Sequence, residues 1–315
     1  MSQNPNNPTR LDPLGAAYCA TGAMLFACKG IFAKKLYALG VSVDAVVMLR
    51  GVIALPMFWV LALRREPLVT IAATPWRTIA VAAFAGALCY YVGTIIDFIA
   101  LTMIEASIER VLIFSYPAMV VLFTAVRDRR RPSNAVLLAG GLTYLGIFFT
   151  VGGFDLAELT ANFFGALLVI GSALTYAFYF LISEKYTREI GSARFTLFAM
   201  SAAPICLLVH FGVQRDFAEL TAIRPSAWAL LVGIALLCMF LPASLHAEGV
   251  RRLGAERGSV LSTVGPPTTV LLAWALLGER LIGWQFLGIG LIVIGVLALD
   301  LSRRRAPQPP ESDVP

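Results

Sequence analysis

The chain has 315 residues, of which 58% are hydrophobic and 14% are charged, and its mean hydropathy is +0.79. These values exclude an ordinary soluble domain, because apolar stretches of about 20 residues, long enough to cross a lipid bilayer, recur from end to end. The net charge of +6 is explained by an excess of basic residues on the cytoplasmic side of the membrane, so no nucleic-acid partner is expected.

The apolar stretches predict an all-α integral membrane protein with ten transmembrane helices. These predicted spans cover residues 14–34, 44–63, 78–100, 106–126, 134–152, 162–183, 195–213, 227–247, 258–276 and 282–301. The first span lacks a small-residue cleavage site followed by polar sequence, so it is interpreted as a span and not as an export signal. The tails 1–13 and 302–315 are rich in polar residues and proline and are predicted to be disordered cytoplasmic segments.

The basic residues predict the orientation in the membrane. If the amino terminus is cytoplasmic, seventeen of the 25 basic residues lie on the inside and six on the outside. Lys and Arg accumulate on the cytoplasmic side, and an even number of spans returns the carboxyl terminus to that side. We therefore expect a multi-pass protein in the lipid bilayer of a bacterial inner membrane. The five cysteines lie in apolar segments, so neither a disulfide nor a metal site is expected, and no cofactor is expected.

The two halves of the sequence are similar to each other. A shift of 149 residues places Pro117 on Pro266 among eight matching pairs, and shared composition is the alternative explanation. Five spans per copy is an odd number, so the predicted repeats 14–152 and 162–301 enter the bilayer from opposite sides. Inverted repeats commonly enclose a solute site near the midplane and permit alternating access. This is the strongest indication of transport in the sequence.

Three stretches resemble the EamA family of the drug/metabolite transporter superfamily. They read "KGIFAKKLYALGVSVDAVVMLRGVIALP" at 29–56, "ASIERVLIFSYPAMVVL" at 106–122 and "GAERGSVLSTVGPPTTVLLAWALLGERLIGWQFLGIGLIVIGVL" at 254–297. The "LLGER" before a glycine-rich last span is the most recognisable part, whereas the Trp-Gly pair often found in the first span is missing. The resemblance implies ten helices in two EamA repeats, cytoplasmic termini, a central cavity, and export of amino acids or other metabolites.

Three charged residues interrupt the predicted spans: Lys29, Arg50 and Asp97. A charge within a span costs a few kcal/mol unless it faces water or a partner, so such residues are candidate functional groups. We predict that Lys29 and Asp97 pair across the cavity and bind solute, and that Arg50 is a gating or structural charge. Snorkelling to the interface is the alternative for Lys29 and Arg50. Alanine at Lys29 is expected to abolish transport while leaving expression intact.

Polar residues within the predicted spans extend the candidate solute site. The further predicted substrate-binding residues are Tyr90, Ser115, Tyr176, Tyr179, Ser262 and Thr263. Tyr176 and Tyr179 share one face of the sixth predicted span, and hydrogen bonding between helices is the alternative role. Pro117 and Pro266 predict helix kinks that either line the site or only adjust packing.

Acid–base pairs stand at matching positions in the two repeats. Glu109 with Arg110, and Glu256 with Arg257, begin the fourth and ninth predicted spans. They are interpreted as alternating gates, with ordinary interfacial ion pairs as the alternative. His246 is a candidate proton relay, because histidine titrates near neutral pH.

The sequence favours a secondary carrier for a small-molecule solute, an amino acid or related compound, that works as an exporter by alternating access. An integral membrane enzyme is one alternative, but no catalytic cluster or nucleophile elbow is visible, so no enzyme is expected. A channel-like facilitator is the other alternative, and it needs a polar path that charges at separate depths do not provide. The absence of a P-loop argues against ATP hydrolysis. Proton coupling and the oligomeric state stay open.

Overall fold

The computed structural model describes residues 12–127, 134–151, 153–253 and 264–304, and every regular element in these ranges is helical. In chain order, helices α1 to α15 are Pro13–Ala27, Lys29–Ala38, Val43–Arg65, Leu68–Ala72, Trp76–Gly86, Thr94–Ala100, Ala106–Ile113, Tyr116–Arg127, Asn134–Val151, Leu156–Ile190, Ser192–Gln214, Pro225–Ala235, Leu241–Leu253, Gly265–Leu277 and Gly283–Arg304. Two π-helical segments, Ala87–Gly93 and Leu236–Phe240, join α5 to α6 and α12 to α13, and a 3₁₀ helix covers Phe217–Ala222.

Seven helical stretches in the described ranges are long and apolar enough to cross a membrane. They are Pro13–Ala38, Val43–Arg65, Trp76–Ala100, Ala106–Thr124, Leu156–Thr187, Ala193–Gln214 and Pro225–Leu245. Three shorter apolar helices coincide with the other predicted spans, at Gly140–Val151, Gly265–Leu277 and Gly283–Gly295. Large apolar side chains such as Trp274 and Val213 are exposed on the outer surface, as expected where lipid covers a protein. The described residues confirm the all-helical prediction, whereas ten crossing helices remain a prediction.

The ends of the chain differ slightly from the predicted tails. Helix α1 begins at Pro13, where the Asp12 carboxylate accepts a hydrogen bond from the Leu14 N–H at 3.1 Å. Helix α15 continues to Arg304, past the predicted start of the tail at 302. Residues 1–11 and 305–315 lie outside the described ranges.

Several predicted spans are not single regular helices. The first is interrupted at Cys28 between α1 and α2, and the fourth turns at 114–115 between α7 and α8. Pro117 and Pro266 are the second residues of α8 and α14. The first N–H groups of a helix have no intrahelical acceptor, so a proline there removes no bond. Pro117 follows the turn at 114–115, the residues directly before 264 lie outside the described ranges, and the kinks at Pro117 and Pro266 stay predictions.

Irregular backbone features recur at the spacing found in the sequence. The π-helical segments begin at Ala87 and Leu236, which are 149 residues apart. Helices α8 and α14 begin at Tyr116 and Gly265, which are also 149 residues apart. Because π-helical turns are rare, shared apolar composition does not account for this recurrence.

Helices α3 and α11 lie antiparallel and are joined by an ion pair at each end. At one end, Nε of Arg215 lies 2.8 Å from Oδ2 of Asp44, and at the other, Nε of Arg194 lies 2.8 Å from Oε2 of Glu66. Arg194 stands 150 residues after Asp44 and Arg215 stands 149 residues after Glu66, so corresponding places in the two halves carry an acid and a base in exchanged positions. The two ion pairs are therefore related as the two halves of an inverted repeat would be.

The Glu66–Arg194 ion pair is expected to contribute about 0.2–1 kcal/mol, because both side chains are partly exposed. A double-mutant cycle with Glu66→Ala and Arg194→Ala, read from thermal unfolding in detergent, measures this coupling. The same cycle on the exposed Lys185–Glu189 pair, whose charged atoms are 4.0 Å apart, serves as the control. A coupling no larger than that of the control would contradict the expectation.

Candidate functional site

Lys29 holds two carboxylates in the protein interior. It is the first residue of α2, directly after the interruption at Cys28. Its Nζ lies 2.5 Å from Oδ2 of Asp97 and 3.0 Å from Oε1 of Glu109. The three residues are at most 3% exposed and come from the first, third and fourth predicted spans. The structure thus brings Lys29 and Asp97 together and adds Glu109, which was placed in a gate from the sequence.

Two arginines lie in the same cluster and are packed on aromatic rings. The Arg50 guanidinium lies 4.7 Å from the centre of the Phe98 ring, and that of Arg110 lies 4.5 Å from the centre of the Phe26 ring. Lys29 Nζ is 5.6 Å and 5.9 Å from the same two ring centres. Each ring thus contacts Lys29 and one arginine. Cation–π attraction replaces part of the hydration that these buried cations lose.

Burial decides between the alternatives left open for these charges. Lys29 and Arg50 are 3% and 5% exposed, which excludes snorkelling to an interface. Glu109 and Arg110 are 1% and 4% exposed, so they are not an interfacial pair, and Glu109 binds Lys29. All residues of α7 are buried, which carries its charges inside the protein.

Five predicted candidates from the second repeat fall outside the described part of the chain or lack a described side chain. Ser262 and Thr263 lie outside the described residues, as do Glu256 and Arg257, so the second gate stays a prediction. His246 lies in α13, and its side chain is outside the described part, so its relay role also stays a prediction.

A group of tyrosines lies against the charge cluster. Tyr90, on the first π-helical segment, packs edge-on against Tyr179 and Tyr176, with ring centres 5.1 Å and 6.3 Å away. Tyr116 packs against Tyr176, with ring centres 6.3 Å apart, and against Phe114 at 6.4 Å, and the Arg110 guanidinium lies 5.1 Å from the centre of the Phe114 ring. The predicted residues Tyr90, Tyr176 and Tyr179 are therefore brought together beside the charges. Tyr116 was not among the predicted site residues.

Four buried polar atoms of this region have no hydrogen-bond partner within the described structure. They are Oγ of Ser115, Oδ1 of Asp97, and Nε of Arg50 and of Arg110. Ser115 is fully buried at the turn between α7 and α8. Buried polar atoms in proteins are nearly always hydrogen-bonded, so such a concentration indicates a binding site more than simple packing.

Neighbouring helices stabilise the irregular backbone that carries these side chains. Thr269 Oγ1 on α14 donates to the carbonyl of Ala27 at 3.1 Å, beside the interruption that precedes Lys29. Ser172 Oγ on α10 donates to the carbonyl of Gly93 at 2.9 Å, where the π-helical segment before Asp97 ends. Irregular backbone inside a membrane protein requires such partners, and π-helical turns are frequent at functional sites.

Glu279 positions α7 from a distant part of the chain. Its Oε1 accepts from the N–H of Ala106 at 2.8 Å, and its Oε2 accepts from the N–H and Oγ of Ser107 at 3.1 and 2.7 Å. Lys34 Nζ lies 3.2 Å from the same carboxylate. Glu279 therefore satisfies the first amides of the helix that presents Glu109, where a negative charge is also favoured by the helix dipole.

The role of Glu279 was missed in the sequence. It belongs to the "LLGER" motif, which was recognised only as a family feature. The available signal was its place directly after Gly278, whose φ of 71° ends α14 in the left-handed conformation that glycine tolerates. A carboxylate that follows a helix-ending glycine is free to reach another helix.

Glu105, which directly precedes α7, is expected to make the stability of the folded protein depend on pH. Burial, followed by the neighbouring Glu279 carboxylate, raises the pKa of Glu105 to about 7. In the unfolded chain the pKa of a glutamate carboxyl is about 4.3. The stability that protonated Glu105 contributes is therefore complete below that pH and is lost as the pH rises through about 7. We expect Glu105→Gln to gain thermal stability over the wild type as the pH rises from 5 to 8. Glu189→Gln, on an exposed helix surface, is the control, and a pH-independent difference for Glu105→Gln would contradict the prediction.

The comparisons with known proteins agree with this architecture. The EamA-like transporter family matches residues 13–152 and 163–299. The uncharacterized transporter YcbK of Bacillus subtilis (strain 168) is 31% identical over 292 residues, covering 91% of this chain and 92% of the relative. The threonine/homoserine exporter RhtA of Salmonella typhimurium (strain LT2) is 27% identical over 218 residues, covering 69% and 70%. A solved crystal structure shares the fold, with a TM-score of 0.63 and 17% identity over 92% of this chain and 99% of its own. The chain belongs to the EamA-like transporter family.

Proposed function

We propose that this protein is a secondary carrier that exports a small solute, an amino acid or related metabolite, by alternating access. The observation that carries the proposal is the buried Lys29 shared by Asp97 and Glu109, inside a bundle of helices that are apolar enough to cross a membrane. Charges in such an interior are costly and are kept mainly at solute or ion pathways. We assign the solute site to this cluster and the adjoining tyrosines.

The proposed architecture is ten spans in two inverted five-helix repeats, 14–152 and 162–301, with both termini in the cytoplasm. Three findings support it. The family matches the chain twice, the irregular backbone segments recur 149 residues apart, and the ion pairs that join α3 to α11 exchange acid and base. A carrier of this design has two equivalent conformations, each open to one side.

The solute class and direction rest on the relatives and on the charges of the site. RhtA is named as an exporter of threonine and homoserine, which supports amino-acid export here. A zwitterionic amino acid carries both signs of charge, and the cluster offers partners for both. If transport uses a proton gradient, Asp97 and Glu109 are the groups in contact with Lys29 that can exchange a proton.

A carrier explains the site better than a channel. The charged side chains are at most 5% exposed, so the site is closed to both sides in this conformation. A channel needs a continuous polar path, whereas a carrier passes through a closed state.

Counterflow in proteoliposomes tests the proposed function. Vesicles loaded with unlabelled threonine, homoserine or other amino acids are diluted into a trace of the same labelled solute. We expect saturable uptake that the internal solute stimulates, and no uptake with the combined variant Lys29→Met, Asp97→Asn and Glu109→Gln. Flux that neither saturates nor responds to internal solute would support a channel, and no flux of any solute would refute transport of this class.

A further inference from the structure

Among the described residues, the buried charge cluster contains more positive than negative groups. Its described cations are Lys29, Arg50 and Arg110, and its described anions are Asp97 and Glu109, which leaves one positive charge in excess when all five are ionised. Both carboxylates bind Lys29, so the two guanidinium groups share the excess. An uncompensated charge in a protein interior is costly, which makes one further negative group favourable there.

The arginines are covered on their faces and retain unsatisfied N–H groups. Arg50 is stacked on Phe98, and Arg110 lies between Phe26 and Phe114, whose ring centre is 5.1 Å away. In the described structure, Nε of each arginine lacks a hydrogen-bond acceptor. The edge of a guanidinium is a planar fork of donors that matches the two oxygens of a carboxylate.

Other donors lie in the same region. The Lys29 ammonium lies 5.6 Å from the centre of the Phe98 ring, which Arg50 also contacts, and 5.9 Å from the centre of the Phe26 ring, which Arg110 also contacts, so the two guanidinium groups lie around the same cation. The Ser115 hydroxyl is fully buried and has no partner within the described structure. Buried guanidinium and hydroxyl donors without acceptors are the chemistry expected for an anionic oxygen group.

We infer that Arg50 and Arg110 bind the carboxylate of the transported solute, so that the solute class is monocarboxylates, including zwitterionic amino acids. This inference rests on the proposed function and names the solute chemistry of the same site. The solute carboxylate supplies the negative group that the two guanidinium groups lack, whereas a doubly charged phosphate would bring more negative charge than the cluster has in excess. Amines and amides without a carboxylate are therefore not solutes.

Thermal unfolding of the purified full chain tests the inference without depending on transport. The probes are matched pairs that differ only in the carboxylate, such as L-threonine with L-threoninamide and acetate with acetamide, together with inorganic phosphate. We expect the acid of each pair to raise the unfolding temperature, and the amides and phosphate to leave it unchanged. Arg50→Gln and Arg110→Gln should each weaken binding of the acid, so that its half-saturating concentration rises by about tenfold.

Two further variants separate loss of carboxylate binding from loss of folding. Arg110→Lys retains the charge without the fork, so it should fold as the wild type and bind the acid more weakly. Arg64→Gln, an exposed residue outside the cluster, is the control and should bind normally. Equal stabilisation by acid and amide, or none by any acid, would overturn the inference even if a neutral solute is transported. Stabilisation by acids without counterflow would uphold the carboxylate site at Arg50 and Arg110 and refute the carrier.

Discussion

Replacing Lys29 with alanine is expected to destabilise the protein by about 3–5 kcal/mol and to abolish transport. The reason is that Asp97 and Glu109, both almost fully buried, lose the cation that they share. This corrects the expectation from the sequence that expression would stay intact, because that expectation did not include the second carboxylate. The measurement is the yield of monodisperse protein and its unfolding temperature in detergent.

A charge-neutral combination separates the structural role of Lys29 from its transport role. Lys29→Met with Asp97→Asn and Glu109→Gln leaves no unpaired buried charge, so it should recover most of the lost stability and still fail to transport. The exposed Lys35→Ala is the matched control and should behave as the wild type. Normal stability together with normal transport in Lys29→Ala would show that the buried ion pairs carry neither role.

Replacing Glu279 with alanine is expected to cost about 2–3 kcal/mol and to lower transport strongly. The change removes the acceptor of the Ala106 and Ser107 amides at the start of α7, the helix that presents Glu109. Hydrogen exchange at those two amides should accelerate more than exchange elsewhere in the helix. Unfolding temperature and counterflow provide the two further readouts.

Substitution of Glu279 by glutamine separates the contribution of its acceptor oxygens from that of its negative charge. Glu279→Gln keeps one acceptor oxygen for the α7 amides and loses the charge that attracts Lys34, so its loss of stability should be smaller than that of alanine. Glu189→Ala, on the exposed surface of α10, is the control. Unaltered protection of the Ala106 and Ser107 amides in Glu279→Ala would contradict the capping role.

The helices and the central charges were predictable because each depends on local sequence. Long apolar stretches can satisfy their backbone in a membrane only as helices, and charges such as Lys29 and Asp97 stand out within them. The position of Glu109 was not predictable in this way. It follows a polar break, which suggested an interface, but Glu279, 173 residues from Ala106, caps the helix inside the protein.

The irregular backbone could not be predicted because its stabilising partners are distant in sequence. The interruption before Lys29 depends on Thr269, and the end of the first π-helical segment depends on Ser172. Pro117 and Pro266 were conspicuous, but the sequence does not show whether a proline within an apolar stretch bends one helix or begins another.

Accessibility of a cysteine at Ser115 tests alternating access without any knowledge of the solute. Ser115 is fully buried at the turn that follows α7, the helix of Glu109 and Arg110, and an alternating site there must expose it to each side in turn. The variant Ser115→Cys is made in a background without the five native cysteines, and Thr221→Cys, on the exposed 3₁₀ helix, is the one-sided control. A membrane-impermeant thiol reagent is applied to right-side-out and to inside-out vesicles. Ser115→Cys is expected to react in both kinds of vesicle, and reaction in only one kind, or in neither, would contradict alternating access.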